Sequence, residues 1–361
     1  MYKIVVTGGP CAGKTTAINR IKKEFEGMGY SVLVVPETAT ELITGGVAPW
    51  TLKSVLEYQL CQMKLQIEKE KIFEEVAGKL CKSDKVIIIC DRGLMDNKAY
   101  MTEADFDEAV SELNLNETEM RDGYDAVFHL VTAAKGPNEV YTLRNNQART
   151  ETAEEAAAID DRLISAWTGH PHLRIIDNTK KIETKIQKLI KEISAFIGEP
   201  EHLEIERKFL IEYPDIKYLE ESPYCRKVEI TQMYLNSDDE AEIRIRRRGE
   251  AGKYMYFKTV KKKVDEVKRF EIETRLSEEE YMSLAADASN GQISKTRYCL
   301  VYKNRYFEID VYPFWDDKAI MEIELCDENE HIVFPEFIKI IKEVTGDEDY
   351  KNSSLAKKNG V

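Results

Sequence analysis

Apolar residues follow two different rhythms along this chain. In the first half, short apolar runs at Ile4–Thr7, Ser31–Val35, Val86–Cys90, Ala126–Val131 and Arg174–Ile176 read as buried strands, each followed by a longer stretch. That alternation predicts a parallel sheet covered by helices on both faces. Ile182, Ile186, Leu189, Ile190, Ile193 and Ile197 form a stripe at helical spacing that closes this half. Gly198-Glu199-Pro200-Glu201 then breaks it. The expected organisation is a domain over 1–197, a linker over 198–201 and a second domain over 202–361.

Beyond the break the period becomes two. Strands are expected at His202–Ile211, Thr231–Leu235, Glu242–Arg248, Tyr254–Val260, Arg269–Thr274, Lys295–Tyr302, Tyr306–Tyr312 and Ala319–Leu325. Helical stretches are expected only at Ser277–Ala286 and Glu336–Val344. This predicts an antiparallel β domain.

Composition narrows the function classes. At 361 residues the chain has room for two cores, and 43% hydrophobic content is ordinary for a globular protein. A net charge of −14 argues against nucleic acid as a partner, although a local basic pocket stays compatible with it. Seven cysteines without a C-x-x-C fit reduced thiols and a cytoplasmic setting. The apolar runs are too short for an integral membrane segment, and Tyr2–Thr7 leaves no room for a signal peptide.

The first strand runs into Gly8-Gly9-Pro10-Cys11-Ala12-Gly13-Lys14-Thr15, a G-x-x-x-x-G-K-[ST] phosphate loop, with Thr16 opening the helical pattern behind it. Glycines let backbone N–H groups converge on phosphate oxygens, and the helix N-terminus adds its positive end. Lys14 is expected on the β- and γ-phosphates of ATP or GTP, and the Thr15 hydroxyl on Mg²⁺. An accidental match in a chain of this length has a chance of roughly one in a hundred. Asp91, at the end of the third strand, is placed for the Mg²⁺ shell or, alternatively, for a helix cap. Glu37, after the second strand, is placed to orient a nucleophile or second substrate, or to cap a helix. Arg144, Arg149 and Arg162 lie where kinases carry a phosphate-closing lid, or are ordinary surface arginines. Cys11 reads as a packing residue.

Val35-Pro-Glu-Thr-Ala-Thr-Glu-Leu-Ile43 and Asp91-Arg-Gly-Leu-Met-Asp-Asn-Lys-Ala-Tyr100 resemble an AAA-type P-loop family related to nicotinamide riboside kinase, over about residues 1 to 197. The layout is similar to that of deoxynucleoside and other small-molecule kinases. No N-K-x-D guanine motif occurs, so ATP and GTP both stay open. Gln59 and Gln62 are candidates for an acceptor site.

In the second half charges alternate with the apolar residues. Glu204, Glu206 and Lys208 share a face; so do Arg244, Arg246 and Arg248. Glu271 and Glu273, Glu308 and Asp310, and Glu322 and Glu324 each flank an isoleucine, and Lys258, Lys295 and Arg297 add positive charge. One such strand reads as a solvated sheet face. Across most of the strands, carboxylate pairs segregate from arginine triplets. Carboxylates about 4 Å apart repel by roughly 4 kcal/mol at an effective dielectric of about 20, which a divalent cation offsets. A barrel with a charged interior fits this pattern.

Glu204-x-Glu206-x-Lys208 resembles the signature of CYTH domains, the triphosphate tunnel metalloenzymes, and the resemblance runs from about residue 202 to 358. It implies an eight-stranded antiparallel barrel in which Glu204, Glu206 and Glu324, with Glu322, hold Mg²⁺ or Mn²⁺. Lys208, Arg244, Arg246, Lys258, Glu271, Glu273, Lys295, Arg297 and Asp310 complete the implied tunnel set. Lys351-Asn352-Ser353-Ser354-Leu355 resembles the segment that closes one tunnel mouth. Two functions follow as expectations. One is metal-dependent hydrolysis of inorganic or nucleoside triphosphate beside a nucleotide-binding domain. The other is nucleotide-regulated binding of a polyanion without turnover, as implied by a eukaryotic family of the same layout described as binding GTP and phosphoinositides.

Overall fold

Five strands of the first half, β1 (Tyr2–Thr7), β2 (Ser31–Val35), β3 (Val86–Asp91), β4 (Ala126–Leu130) and β5 (Leu173–Ile176), form one sheet in the order β2-β3-β1-β4-β5. Every pairing in it is parallel. Successive residues Ile87, Ile88 and Ile89, and likewise Ile4, Val5 and Val6, are all fully buried. Both faces of the sheet are therefore covered, which explains runs that are continuously apolar rather than alternating. The principal helices are Lys14–Gly27, Val55–Ala77, Ala153–Trp167 and Ile182–Ile197. The third of these starts at a reciprocal cap between Thr152 and Glu155.

The computed structural model describes residues 1–80, 85–136, 152–179, 181–199, 205–235, 241–263, 269–286, 288, 291–325 and 330–359. It divides into two compact units, Met1–Lys191 and Glu192–Val361. Among the described residues no helix is long and apolar enough to cross a membrane.

The second unit holds β6 (Ile205–Glu212), β7 (Cys225–Leu235), β8 (Ala241–Glu250), β9 (Lys253–Lys263), β10 (Arg269–Leu276), β11 (Gln292–Tyr302), β12 (Arg305–Val311), β13 (Lys318–Leu325) and β14 (Ile340–Glu343). They form one antiparallel sheet in the order β10-β9-β8-β7-β11-β12-β13-β6-β14. All eight expected strands are present. The ninth, β14, lies in the stretch expected to be helical. The apolar residues of that stretch, at 338, 340, 341 and 344, mimic a helical period. Ile338 and Val344 enter the core, whereas Ile340 and Ile341 stay exposed on a strand that pairs with β6.

Alternation along the strands sorts the side chains onto two faces. Phe209, Ile211, Leu300, Phe307, Ile309, Met321 and Ile323 form the main apolar cluster of this unit on one face. The residues between them, including Lys208, Lys295, Arg297, Glu308, Asp310 and Glu322, carry the charges on the other. The helix Asn352–Asn359 packs Leu355 and Ala356 against Tyr234, Ile293, Tyr312 and Ile320.

Candidate functional sites

β1 delivers the chain to the phosphate loop at the carboxyl edge of the parallel sheet, where ligands bind in open α/β folds. Gly8 has φ +147°, and a Cβ there would lie 2.2 Å from the Leu130 carbonyl oxygen. Gly13 caps the following helix in the left-handed region. Lys14 is buried and its Nζ donates to the Gly8 carbonyl at 3.2 Å. Burial, then the neighbouring Arg92 guanidinium, pushes the Lys14 ammonium down to about 8. Thr15 and Thr16 are exposed.

Asp91 and Glu37 close in on this lysine from the ends of β3 and β2. Burial, with Glu37 and Asp96 adding to it, holds the Asp91 carboxyl above the usual range against the opposing pull of Lys14 and Arg92. Its Oδ1 is buried without a hydrogen-bond partner. Such an orphaned carboxylate oxygen suits a divalent cation beside the loop. Glu37 is also largely out of water, which alone would raise its carboxyl. Arg92 and Lys14 outweigh burial and bring it down to about 2. Arg92 Nε donates to Glu37 Oε1 at 2.5 Å and its Nη1 to Asp96 Oδ2 at 3.2 Å. Asp96 further accepts from Thr7 Oγ1 at 2.7 Å and Trp167 Nε1 at 2.5 Å.

Of the other expected residues, Gln62 donates to Asn97 Oδ1 at 2.9 Å, and Gln59 is buried with its Oε1 unpartnered. Arg162 donates to the Ala99 carbonyl at 2.7 Å. Arg144 and Arg149 lie outside the described residues. Sequence reasoning did not single out Arg92, Asp96, Asp160 or Lys185. Arg92 sits next to the acid of a quoted motif, and its left-handed φ of 75° marks it only in the structure.

In the second unit, register assembles the charges. Lys208 on β6 lies 2.7 Å from Glu322 Oε1 on β13 and 3.6 Å from Glu206. Burial opposes the Lys208 charge, but Glu322 and Glu206 outweigh it and raise its pKa. Arg297 on β11 donates to Asp310 Oδ1 at 2.6 Å and Oδ2 at 2.7 Å, to Glu322 Oε2 at 2.9 Å, and to Glu308. Lys295 pairs with Asp310. Burial works against the Glu322 carboxylate, and Lys208, Arg297 and Lys295 together hold it ionised. Arg246 pairs with Glu273 at 2.9 Å, and Thr259 Oγ1 donates to the same carboxylate at 3.0 Å. Burial lowers the Arg246 pKa; Glu273 opposes it, while Arg244, Arg248 and Arg297 add to it. Burial acts first, and the three neighbouring guanidiniums mark a local cluster of positive charge around Arg246.

The register pairs Glu206 directly with Glu324, and Glu308 with Glu322. Like charges in directly opposed positions destabilise a sheet. Arg297 bridges the second pair. At the first pair Lys208 lies 3.6 Å from Glu206, and the facing carboxylates on adjacent strands are oxygen donors of the kind that suit Mg²⁺ or Mn²⁺. Among the described residues no group of three or more His, Cys, Asp or Glu side chains is arranged to hold a metal; Glu204 lies outside them. The register does not bring Lys258 together with the arginine triplet. Lys258 opposes Ile245, whereas Phe257 opposes Arg246 and Thr259 opposes Arg244. Position 261, in phase with Thr259, pairs with Glu242 and Glu271. Glu271 lies on β10, and its side chain is outside the described residues.

A phosphate loop on a five-stranded parallel sheet, followed by an antiparallel sheet with a charged face, defines a two-domain protein of the P-loop class with a β domain behind it. Residues 3–185 match the model of the AAA domain and residues 202–356 that of the CYTH domain. The chain belongs to the AAA domain family and carries a CYTH domain fused behind it. Among solved structures it is similar to the inorganic triphosphatase NE1496, with 29% identity, 43% of this chain and 94% of that chain covered, and a TM-score of 0.30. It is also similar to the PH1012 protein from Pyrococcus horikoshii OT3, with 22% identity, coverage of 33% and 77%, and a TM-score of 0.26. A search of curated proteins gives no match.

Proposed function

We propose that this protein is a two-domain phosphate-handling enzyme. Its AAA domain binds ATP or GTP with Mg²⁺, and its CYTH domain binds and hydrolyses a triphosphate, inorganic or nucleoside-borne, with Mg²⁺ or Mn²⁺. The observation that carries the reading is the combination on the charged face of the second sheet. Arg246, Arg297, Lys295 and Lys208 are drawn out of water together, as a polyanion needs. The directly opposed Glu206 and Glu324 add the carboxylates that anion binding alone does not require.

Glu206 and Glu324, with Glu204 and Glu322, would hold the tunnel cation, and Asp91 with Thr15 the one beside the phosphate loop. A divalent cation at such a site neutralises phosphate oxygens and lowers the pKa of bound water. The chain's own groups do the rest. Arg246, Arg297 and Lys295 grip phosphate oxygens, and Lys208 holds Glu322 in its ionised form. In the first domain, Glu37, kept ionised by Arg92, orients the hydroxyl of a small acceptor toward the nucleotide, which makes this domain a small-molecule kinase.

Phosphate release from inorganic triphosphate in the presence of Mn²⁺ tests the tunnel reading. Arg246→Ala is expected to lower kcat/KM about tenfold to a hundredfold, the worth of one charged hydrogen-bonding partner. Lys14→Ala is expected to leave that activity intact. Binding of triphosphate without any turnover would instead support the polyanion-binding reading.

A further inference from the structure

Three side chains behind the phosphate loop hold its backbone, and the motif itself contains none of them. Asp160 Oδ1, fully buried on the helix Ala153–Trp167, accepts from the Gly9 N–H at 2.9 Å and from the Thr132 N–H at 3.1 Å. His129 Nε2 at 3.0 Å and Lys135 Nζ at 3.0 Å brace the same carboxylate. Thr132 Oγ1, just beyond β4, donates to the Pro10 carbonyl. Lys185 Nζ, buried on the helix Ile182–Ile197, donates to the carbonyls of Ala12 at 3.2 Å and Val131, and to Asn178 Oδ1 at 3.0 Å.

A trans peptide points its C=O and its N–H to opposite sides. Each anchor therefore aims the other end of its peptide unit. With the Pro10 carbonyl drawn to Thr132, the Cys11 N–H points away from Thr132, into the hollow of the loop. With the Ala12 carbonyl drawn to Lys185, the Gly13 N–H does the same. With the Gly9 N–H drawn to Asp160, the Gly8 carbonyl faces the hollow, where Lys14 Nζ meets it at 3.2 Å. The left-handed φ values of Cys11 (59°) and Gly13 (89°) are what this arrangement of planes requires.

We propose that Lys185, Thr132 and Asp160 are positioning residues that set the peptide planes of the phosphate loop, aiming the Cys11 and Gly13 N–H groups at the phosphates of a bound nucleotide. This rests on the nucleotide-binding reading of the first domain. The anchors act before ligand arrives, so the loop pays little reorganisation on binding. Asp160 also fixes the identity of position 9, because a Cβ on Gly9 would lie 2.8 Å from its Oδ1.

The test is calorimetric titration of the full chain with ATP and Mg²⁺, counting only the binding that Lys14→Ala abolishes, alongside melting of the ligand-free variants. Lys185→Met keeps the length of the side chain and removes its donors; a loss of affinity of about tenfold or more is expected. The ligand-free melting temperature is expected to fall by a few degrees, because the Ala12 and Val131 carbonyls and Asn178 Oδ1 lose their donor while the cost of a buried ammonium is removed. Thr132→Val removes one hydroxyl and is expected to weaken ATP several-fold with the fold intact, so it reads the proposal even if Lys185→Met fails to fold. Affinity within twofold of wild type in the folded variants, while Lys14→Ala abolishes binding, overturns the proposal. So does a loss of affinity that, across the variants, only tracks the fall in melting temperature. Unchanged binding in Lys14→Ala overturns the nucleotide-binding reading itself.

Discussion

Glu37 carries a negative charge into a place largely withdrawn from water, and it keeps that charge because two cations face it. Its carboxyl, at about 2 against an ordinary value of 4.5, favours the folded state wherever the unfolded chain would also be ionised. The contribution is fully present above about pH 4.5 and is lost as pH falls toward 2. Its size is on the order of 3 kcal/mol, since one pKa unit is about 1.4 kcal/mol. Glu37→Gln should therefore be less stable near neutrality and lose less on acidification; urea melts at pH 6 and pH 3 would show this as converging midpoints. Parallel midpoint curves would place Glu37 outside the Arg92 pair. Lys14 has the opposite sign. Its pKa is lowered to about 8, so the folded state binds the proton less well than the unfolded chain. Stability of the ligand-free domain should rise between about pH 8 and 10.5, and Lys14→Met should flatten that rise. Arg92, which links Glu37 to Asp96, was invisible in the sequence because an arginine beside an acid looks like any surface pair. Only the fold shows that both acids are at the mouth of the phosphate loop.

At the scale of elements, the strands were legible because burial writes itself into composition. Val86-Ile87-Ile88-Ile89-Cys90 needs cover on both faces, and β3 has it. Charges alternating with Ile323 and Ile309 require a two-faced sheet, and β12 and β13 pair in that register. β14 was not legible, because the apolar residues at 338, 340, 341 and 344 fall at helical spacing and the strand itself is exposed along its length. Lys185 was hidden for a related reason. It occupies a polar position in a helical stripe whose apolar members, Ile186, Leu189 and Ile193, accounted for the pattern. The loop between β1 and its helix is where local chemistry is most exacting. Gly8→Ala combines φ +147° with a backbone oxygen 2.2 Å from the new Cβ. A cost on the order of 3 kcal/mol and loss of nucleotide binding are expected, because neither the Leu130 carbonyl nor the backbone can give way cheaply. A Gly29→Ala control, also at positive φ but with open space around it, should cost less and leave nucleotide binding intact. Equal affinity for ATP in wild type and Gly8→Ala would show that the loop tolerates a different path.

At the scale of the whole molecule, the chain forms two compact units, each with its own sheet, and melting need not be a single transition. Glu206 and Glu324 are directly opposed on β6 and β13, and the Lys208 ammonium lies 3.6 Å from Glu206. Replacing both by glutamine removes their mutual repulsion together with the Glu206–Lys208 attraction, so the metal-free double variant Glu206→Gln/Glu324→Gln should melt close to the wild-type temperature. A cation that binds only the folded state stabilises it by mass action, about 2.7 kcal/mol at a hundred times its dissociation constant. Saturating Mn²⁺ without nucleotide should therefore raise the wild-type CYTH transition by several degrees and leave the double variant nearly unmoved. Lys14→Ala, in the other unit, should keep the full Mn²⁺ shift and lose the shift produced by nucleotide in the first domain. Equal Mn²⁺ shifts in wild type and the double variant would show that these two glutamates are not the ligands. The carboxylates of the charged face would then serve to hold Lys208 and Arg297 in place, and the second domain would read as an anion-binding module without metal chemistry.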